Sequence, residues 1–172
     1  MAIDETPALA EIPHEYVQRV ACRKAEALWE QLPAALRRPV LGADTAVVLA
    51  RQILGKPSDA EEHAAMLQQL SARTHEVLTA VALRYDSGMA VRVSVSRVTL
   101  RALQATEIAA YWRSGEPHDK AGGYAIQGLG ALFVEHMSGS YSGIVGLPLY
   151  ETAELLQIIG WSPTLAQITR GG

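Results

Sequence analysis

The sequence lacks features on which several large classes of protein depend. Cys22 is the only cysteine among 172 residues, so no disulfide can form within the chain. No apolar run is long enough to cross a bilayer, and acidic residues stand near the start, where a secretory signal carries cations. With 15 basic and 18 acidic residues, the chain lacks the positive surplus needed to bind along a nucleic-acid backbone. We therefore expect a cytoplasmic protein with neither nucleic acid nor a membrane as its partner.

The composition favours an ordinary globular domain. Apolar residues make up 49% of the chain, which is enough for a substantial hydrophobic core. Aromatic residues make up only 6%, so aliphatic side chains must form most of that core. We predict a single domain that spans residues 1–172.

The order of hydrophobic patterns predicts an α/β fold with a mixed sheet, an antiparallel hairpin and flanking helices. Helical periodicity runs over residues 13–32, and a β-type run follows over residues 40–49. Two alternating runs, over residues 76–85 and 90–100, flank an Asp86-Ser87-Gly88 turn. The other predicted elements are a helix that begins at the capping pair Ser58 and Glu61, a short helix over residues 105–112, a glycine-rich loop over residues 114–130, a strand over residues 131–137 and a closing helix over residues 148–159.

Lys24 lies within the apolar stripe of the first predicted helix, seven residues after Val17 and four before Leu28. An unpaired ammonium group is costly to bury, so this side chain must either reach solvent or meet an anion. The pattern leaves two interpretations open, a structural ion pair and a contact with a phosphate group.

Asp44 interrupts the apolar run over residues 40–48. Buried carboxylates are uncommon unless they are paired or bind a metal. A capping role at the end of a loop is the alternative, but the pattern favours a catalytic base or a metal ligand. Gly42, two residues earlier, would let another part of the molecule approach the strand closely.

Two further segments indicate a site for a phosphorylated ligand. Lys56 stands directly before Pro57 and a predicted helix N-terminus, where phosphate groups bind readily. Residues 119–128 contain Lys120 and two adjacent glycines, which allow unusual backbone angles and leave amide groups free to bind an anion. In the same segment, Gln127 offers both a donor and an acceptor that can read the edge of a base. The spacing matches neither a Walker A loop nor the dinucleotide-binding fingerprint.

Several segments, in order, resemble the Maf family of nucleoside triphosphate pyrophosphatases. The more specific segments are Leu41-Gly42-Ala43-Asp44-Thr45 and residues 119–128, and weaker ones include Arg23-Lys24-Ala25 and Leu54-Gly55-Lys56-Pro57. The resemblance covers residues 3 to about 160. Within the family, the dTTP/UTP branch is the more similar, because Thr45 follows Asp44 and Gln127 stands in the glycine-rich segment.

The resemblance implies hydrolysis of dTTP and UTP, with modified pyrimidine nucleotides as further candidates, to the monophosphate and pyrophosphate. It also implies Mg²⁺ or Mn²⁺ as cofactor, a fold related to inosine triphosphatase with two lobes around a cleft, and a homodimer in many members. The roles that it implies are Asp44 as proton acceptor, Glu5 and Asp44 as ligands of the divalent metal, Lys24 and Lys56 as phosphate ligands, Lys120 as a further substrate-binding residue, and Thr45 and Gln127 as positions tied to base choice.

The chain departs from the family pattern in two places. Ala72 replaces the usual glycine of a Ser-Gly-Arg turn, which raises a concern for the local backbone. The Ser-x-Ser-Pro-Arg-Arg loop that opens family members is absent from the sequence, so we expect a chain truncated at its N-terminus relative to the family. An alternative function is therefore a catalytically weak nucleotide-binding or regulatory protein linked to septum formation, and a third is a generic metal phosphatase.

Overall fold

A five-stranded sheet organises residues 3–162, which a computed structural model describes. The strands are β1 Val40–Leu49, β2 Gln52–Leu54, β3 Thr74–Tyr85, β4 Gly88–Leu100 and β5 Val134–Ser138, in the spatial order β2-β1-β3-β4-β5. The α/β class, the hairpin and the flanking helices are confirmed. The order of elements predicted a mixed sheet. All pairings within the described residues are antiparallel, so that part of the prediction is wrong for the strands described.

Two tight hairpins account for much of this antiparallel pairing. Asp86 and Ser87 join β3 to β4, as the sequence predicts, and Tyr85 pairs with Gly88 across the turn. The hairpin between β1 and β2 was not predicted. Its turn residues, Ala50 and Arg51, have φ angles of 48° and 71° without the Asn or Gly that usually signals such a turn.

The helices are α1 Pro13–Gln31, α2 Ala60–Leu70, α3 Ala105–Arg113, α4 Tyr141–Val145 and α5 Leu149–Ile158. The sequence predicted all of these except α4, and the predicted bounds of α1, α3 and α5 agree within one residue at each end. The predicted capping pair of α2 is wrong by one residue, because Asp59 is the N-cap and accepts a 2.8 Å hydrogen bond from the Glu62 amide. The predicted last strand begins only at Val134, because Leu129–Phe133 form a 3₁₀ helix.

Helix α1 packs against one face of the sheet, directly on β1. A Cβ atom on Gly42 would lie 2.5 Å from the carbonyl oxygen of Ala21 and 2.6 Å from the amide nitrogen of Ala25. The predicted close approach at Gly42 is therefore confirmed. Leu28, which was assigned to the apolar stripe, is 49% exposed, and Trp29 is buried in its place. The buried residues of α1 recur in steps of four, so Lys24 lies at the border of the buried face of the helix.

The remaining helices lie on the opposite face of the sheet. Leu155 of α5 packs with Val81 and Leu83, while Leu67 of α2 belongs to a second cluster with Val77 of β3. None of the helices in the described part of the chain is long and apolar enough to cross a membrane.

The turn after α2 confirms the concern about Ala72. Its φ angle is 55°, in the left-handed region that favours glycine. The Ala72 amide nevertheless donates a 3.1 Å hydrogen bond to the carbonyl of Arg101, so the strained turn is attached to the residue that follows β4.

Candidate active site

A pocket of about 270 Å³ opens between β1 and the glycine-rich residues 119–128, where the sequence predicts a cleft. Its lining includes Lys24, Asp44, Thr45, Lys56, Lys120 and Gln127, which are six of the seven predicted site residues. The seventh, Glu5, lines an adjoining cavity of about 430 Å³ that shares Asp44, Thr45 and Lys56 with the first. The fold thus brings all the predicted site residues into one region.

Asp44 and Thr45 both line the pocket, although their side chains lie on opposite faces of β1. Successive residues of a strand point to opposite faces, so Asp44 faces α1 while Thr45 faces α4. Strand β2 pairs only with residues 47–49, so the edge of β1 beside Asp44 has no paired strand within the described residues. The pocket can therefore extend from one face of the sheet around this edge to the other.

Charged groups of opposite sign alternate at the Asp44 end of the pocket. The ammonium nitrogen of Lys24 lies 2.7 Å from Asp44 Oδ1 and 2.8 Å from Glu5 Oε1. Lys56 Nζ lies 4.0 Å from Glu5 Oε2. Burial opposes the charge of Lys24, but its hydrogen bonds to the two carboxylates prevail and raise its pKa. These contacts use two of the three N–H groups of Lys24, so the third can serve a bound anion.

The side chain of Asp44 is almost fully buried at the edge of the pocket. The residue is 9% exposed, and its Oδ2 atom is buried without a hydrogen-bond partner in the described part of the chain. Burial raises the pKa of the Asp44 carboxyl, and the neighbouring Lys24 offsets only part of this effect. A carboxylate with a raised pKa in a pocket is suited to accept a proton.

Asp44 and Glu5 also offer oxygen ligands for a divalent cation. Both carboxylates contact Lys24, which places them close together, and oxygen ligands suit Mg²⁺ and Mn²⁺. Residues 3–162 contain no group of three or more acidic, His or Cys side chains placed to hold a metal. Mg²⁺ usually binds one or two carboxylates together with water and substrate phosphates. The two residues, with the unpaired Oδ2, therefore fit a cation that binds jointly with a nucleotide.

The glycine-rich segment packs tightly against the body of the protein. Gly122 and Gly123 have φ angles of 68° and 71°, as the adjacent glycines led us to expect. A Cβ atom on Gly122 would lie 2.8 Å from Val47, and one on Gly123 would lie 2.7 Å from His63. Only glycine fits at these two positions.

The amide groups of these glycines do not form the predicted anion site. The Gly122 amide donates a 2.9 Å hydrogen bond to the Gly55 carbonyl, and the Gly123 amide donates a 3.0 Å bond to the Lys120 carbonyl. The prediction was wrong because both amides already donate hydrogen bonds to backbone carbonyls, which hold the segment in place. Its side chains, from Lys120 to Gln127, line the pocket instead.

Two buried histidines hold the glycine-rich segment from behind. His63 Nε2 lies 2.9 Å from the Gly123 carbonyl oxygen, and His75 Nε2 lies 2.7 Å from the Tyr124 hydroxyl. Both side chains are almost fully buried, and burial lowers the pKa of His75 to about 4. These histidines thus support the pocket wall in their neutral form.

Glu116 is a supporting residue that the sequence reasoning missed. Its carboxylate accepts hydrogen bonds of 2.7 Å from the Tyr111 hydroxyl, 2.8 Å from the Leu129 amide and 3.0 Å from the Gly130 amide. Tyr111 in turn accepts a 3.0 Å bond from the Ala125 amide. The only signal in the sequence is an acidic residue between Gly115 and Pro117. Its hydrogen-bond partners are up to 14 residues away along the chain, so the sequence does not reveal them.

Thr79 is a second residue that the sequence reasoning missed. It is fully buried on β3, directly opposite Thr45, and the two hydroxyl oxygens are 2.9 Å apart. Thr79 also donates a 2.6 Å hydrogen bond to the Gly143 carbonyl of α4. Only the strand register reveals this contact, because residues 45 and 79 are far apart in the sequence.

The lining of the pocket indicates the kind of ligand that it can bind. Three lysines line one pocket with a buried carboxylate, which is typical of a site for a phosphorylated ligand. A glycine-rich wall with an amide side chain, Gln127, adds groups that can contact the rest of such a ligand.

Comparison with known proteins gives the family. A family model described as Maf-like protein matches residues 1–159. The dTTP/UTP pyrophosphatase of Alkalilimnicola ehrlichii is 54% identical over 157 residues, covering 90% of this chain and 77% of that protein. The dTTP/UTP pyrophosphatase of Aromatoleum aromaticum is 52% identical over 164 residues, covering 92% of this chain and 78% of its own length. The chain belongs to the Maf-like protein family.

Proposed function

We propose that this protein hydrolyses dTTP and UTP to the nucleoside monophosphate and pyrophosphate, with the help of a divalent cation. The observation that carries the proposal is the buried Asp44 carboxylate, which faces a pocket lined by Lys24, Lys56 and Lys120. The relatives described above are named dTTP/UTP pyrophosphatase, which supports the same substrate class.

Asp44 is the proposed general base. A water molecule attacks the α-phosphorus, its proton passes to the Asp44 carboxylate, and the bond from the α-phosphorus to the bridging oxygen breaks. Burial raises the pKa of Asp44, which makes its carboxylate a stronger base than that of an exposed aspartate.

The lysines are the proposed ligands of the triphosphate. Lys24 and Lys56 lie next to Asp44 and Glu5, so their charges are in place where negative charge builds up on the leaving pyrophosphate. Lys120, from the opposite wall, is also a member of the pocket lining. A divalent cation held by Asp44 and Glu5 would neutralise part of the same charge.

Thr45 and Gln127 are the proposed contacts of the base. Thr45 lines the pocket on the face of β1 that points away from α1, and Gln127 extends from the glycine-rich wall. Side chains that hydrogen-bond the edge of a base penalise a wrong base, because polar groups of the site are then left unpaired.

Product analysis tests the proposal. The chain is incubated with Mg²⁺ or Mn²⁺ and, in turn, dTTP, UTP, CTP, ATP, GTP and 7-methyl-GTP, and pyrophosphate and orthophosphate are measured separately. We expect pyrophosphate release, fastest with dTTP and UTP. A preference for GTP or 7-methyl-GTP would refute the assigned branch, orthophosphate release would favour a generic phosphatase, and binding without turnover would favour a regulatory role.

A further inference from the structure

Three groups form a short chain of hydrogen bonds from the pocket into the interior. The hydroxyl of Thr45 lies 2.9 Å from that of Thr79, and the Thr79 hydroxyl donates a 2.6 Å bond to the Gly143 carbonyl. Thr45 lines the pocket, whereas Thr79 is fully buried. No solvent can therefore compete for the Thr79 hydroxyl.

The direction of these bonds follows from counting protons. A threonine hydroxyl has one proton to donate and two lone pairs that accept. A carbonyl oxygen can only accept, so the single proton of Thr79 is committed to Gly143. The bond between the two threonines then has Thr45 as its donor and Thr79 as its acceptor.

This direction determines what Thr45 offers to a ligand. Its only proton points into the protein toward Thr79, so its oxygen presents lone pairs and no donor to the pocket. A Cβ atom placed on Gly146 would lie 3.6 Å from Thr45 Oγ1, so the glycine leaves space beside the hydroxyl. A ligand group that contacts this oxygen must supply the hydrogen.

We propose that Thr79 is a specificity-determining residue, which holds Thr45 as a hydrogen-bond acceptor and so selects bases that carry a hydrogen on ring nitrogen 3. The inference rests on the proposed function, because it assumes a pyrimidine nucleotide in the pocket. On the edge of uracil and thymine that carries two carbonyls, N3–H is the only donor. In cytosine the same nitrogen carries a lone pair, which would face the lone pairs of Thr45.

Equilibrium binding tests this inference without requiring turnover. Binding of the non-hydrolysable α,β-imido analogues of UTP and CTP is measured by calorimetry for the unaltered chain and for Thr79→Val. The substitution keeps the shape of the side chain but removes the acceptor, so the Thr45 proton is free to turn toward the ligand. We expect the preference for the UTP analogue over the CTP analogue to fall about tenfold, the usual effect of one hydrogen bond.

A matched control separates this effect from a general loss of stability. Thr152 is also buried, and its hydroxyl donates a 2.7 Å bond to the Pro148 carbonyl, but it does not line the pocket. Thr152→Val should leave the ratio of the two affinities unchanged. An unchanged ratio in Thr79→Val, with native circular dichroism, would overturn the inference.

A modified ligand gives a second test on the unaltered chain, in case Thr79→Val does not fold. The α,β-imido analogue of N3-methyl-UTP lacks the hydrogen on nitrogen 3, and we expect it to bind at least tenfold more weakly than its parent. Equal affinity would overturn the inference. If the chain binds the UTP analogue selectively but hydrolyses neither dTTP nor UTP, the proposed function fails while this inference stands.

Discussion

The ammonium nitrogen of Lys24, on α1, lies 2.7 Å from a carboxylate oxygen of Asp44, on β1. The pair forms because Gly42 has no side chain, so that the helix backbone rests directly on the strand. Lys24 also contacts Glu5, which joins the chain before α1 to the same centre. Substitutions at the helix–strand contact should therefore affect both stability and the pocket.

Replacing Asp44 with asparagine should abolish most turnover of dTTP while leaving nucleotide binding largely intact. The amide has nearly the same shape but cannot accept the proton, and loss of a general base typically costs about 10²- to 10⁴-fold in rate. Steady-state kinetics and calorimetric binding of the imido analogue measure the two effects. Asp86→Asn, in the exposed hairpin turn, is the control. Near-normal kcat in Asp44→Asn would place the base elsewhere.

Replacing Lys24 with glutamine should move the acid limb of the rate profile to higher pH. Burial raises the pKa of Asp44 and Lys24 lowers it, so removing the lysine should raise that pKa further. Protonated Asp44 cannot act as a base, so activity should disappear at a higher pH than before. We also expect kcat/KM to fall about 10- to 100-fold through the lost charged contact.

The pH dependence of kcat for dTTP, measured in parallel for Lys24→Gln and Arg23→Gln, checks this expectation. Arg23 is the exposed neighbour of Lys24 on α1 and should leave the profile unchanged. An acid limb at the same pH in both variants would show that Asp44 does not titrate under the influence of Lys24.

Replacing Gly42 with alanine should destabilise the protein and disrupt the Lys24–Asp44 pair. The added Cβ atom would lie 2.5 Å from the Ala21 carbonyl oxygen, so the backbone of α1 must move away from β1. Overpacking of this kind typically costs about 1–3 kcal/mol. Urea unfolding of Gly42→Ala and Gly55→Ala tests the point, since a Cβ on Gly55 meets nothing within 4 Å. Equal losses in the two variants would contradict it.

Replacing Glu116 with glutamine should loosen the glycine-rich wall. The carboxylate accepts hydrogen bonds through both oxygens, so one donor would face the new NH₂ group without an acceptor. The donor left without an acceptor is the exposed Leu129 amide, so the loss should be close to that of one ordinary hydrogen bond, about 0.5–1.5 kcal/mol. We expect a lower free energy of unfolding and a raised KM for dTTP, while kcat changes less because Asp44 is not contacted. Glu135→Gln, at an exposed site on β5, is the control, and matching results in both would refute this role.

His75 should make the protein less stable as the pH falls. Its pKa is about 4 in the folded state, against 6.5 as the usual value, because burial disfavours the charged ring. Between these two values the unfolded chain binds a proton that the native state does not, so the free energy of unfolding decreases with falling pH. The loss from pH 7 to pH 5 should be about 2 kcal/mol.

Urea unfolding at the two pH values, for the unaltered chain and for His75→Asn, measures this contribution. The variant should lose less stability between pH 7 and pH 5, whatever its stability at pH 7. His136→Asn, at an exposed position on β5, should behave like the unaltered chain. A pH dependence in His75→Asn that equals that of the unaltered chain would rule out this origin.

Much of the secondary structure could be predicted from local patterns. Helical periodicity predicted α1, and alternation around the Asp86-Ser87-Gly88 turn predicted β3 and β4, because these signals depend on neighbours within a few residues. The β1–β2 hairpin could not be predicted in this way, since Ala50 and Arg51 adopt left-handed angles without a local reason. The tertiary pairing of the strands imposes that conformation.

Local patterns were sufficient to identify the anomalous side chains, among them Lys24 in an apolar stripe and Asp44 in an apolar strand. An unpaired charge in such a place is costly, so each position demands a partner. The packing of α1 on β1 makes them partners of each other and brings Glu5 to the same place, which no local pattern indicates. Thr79 shows the same limit, because a threonine in a strand is ordinary until the register places it opposite Thr45. Contacts between distant residues depend on how helices and strands pack, and no local pattern encodes that packing.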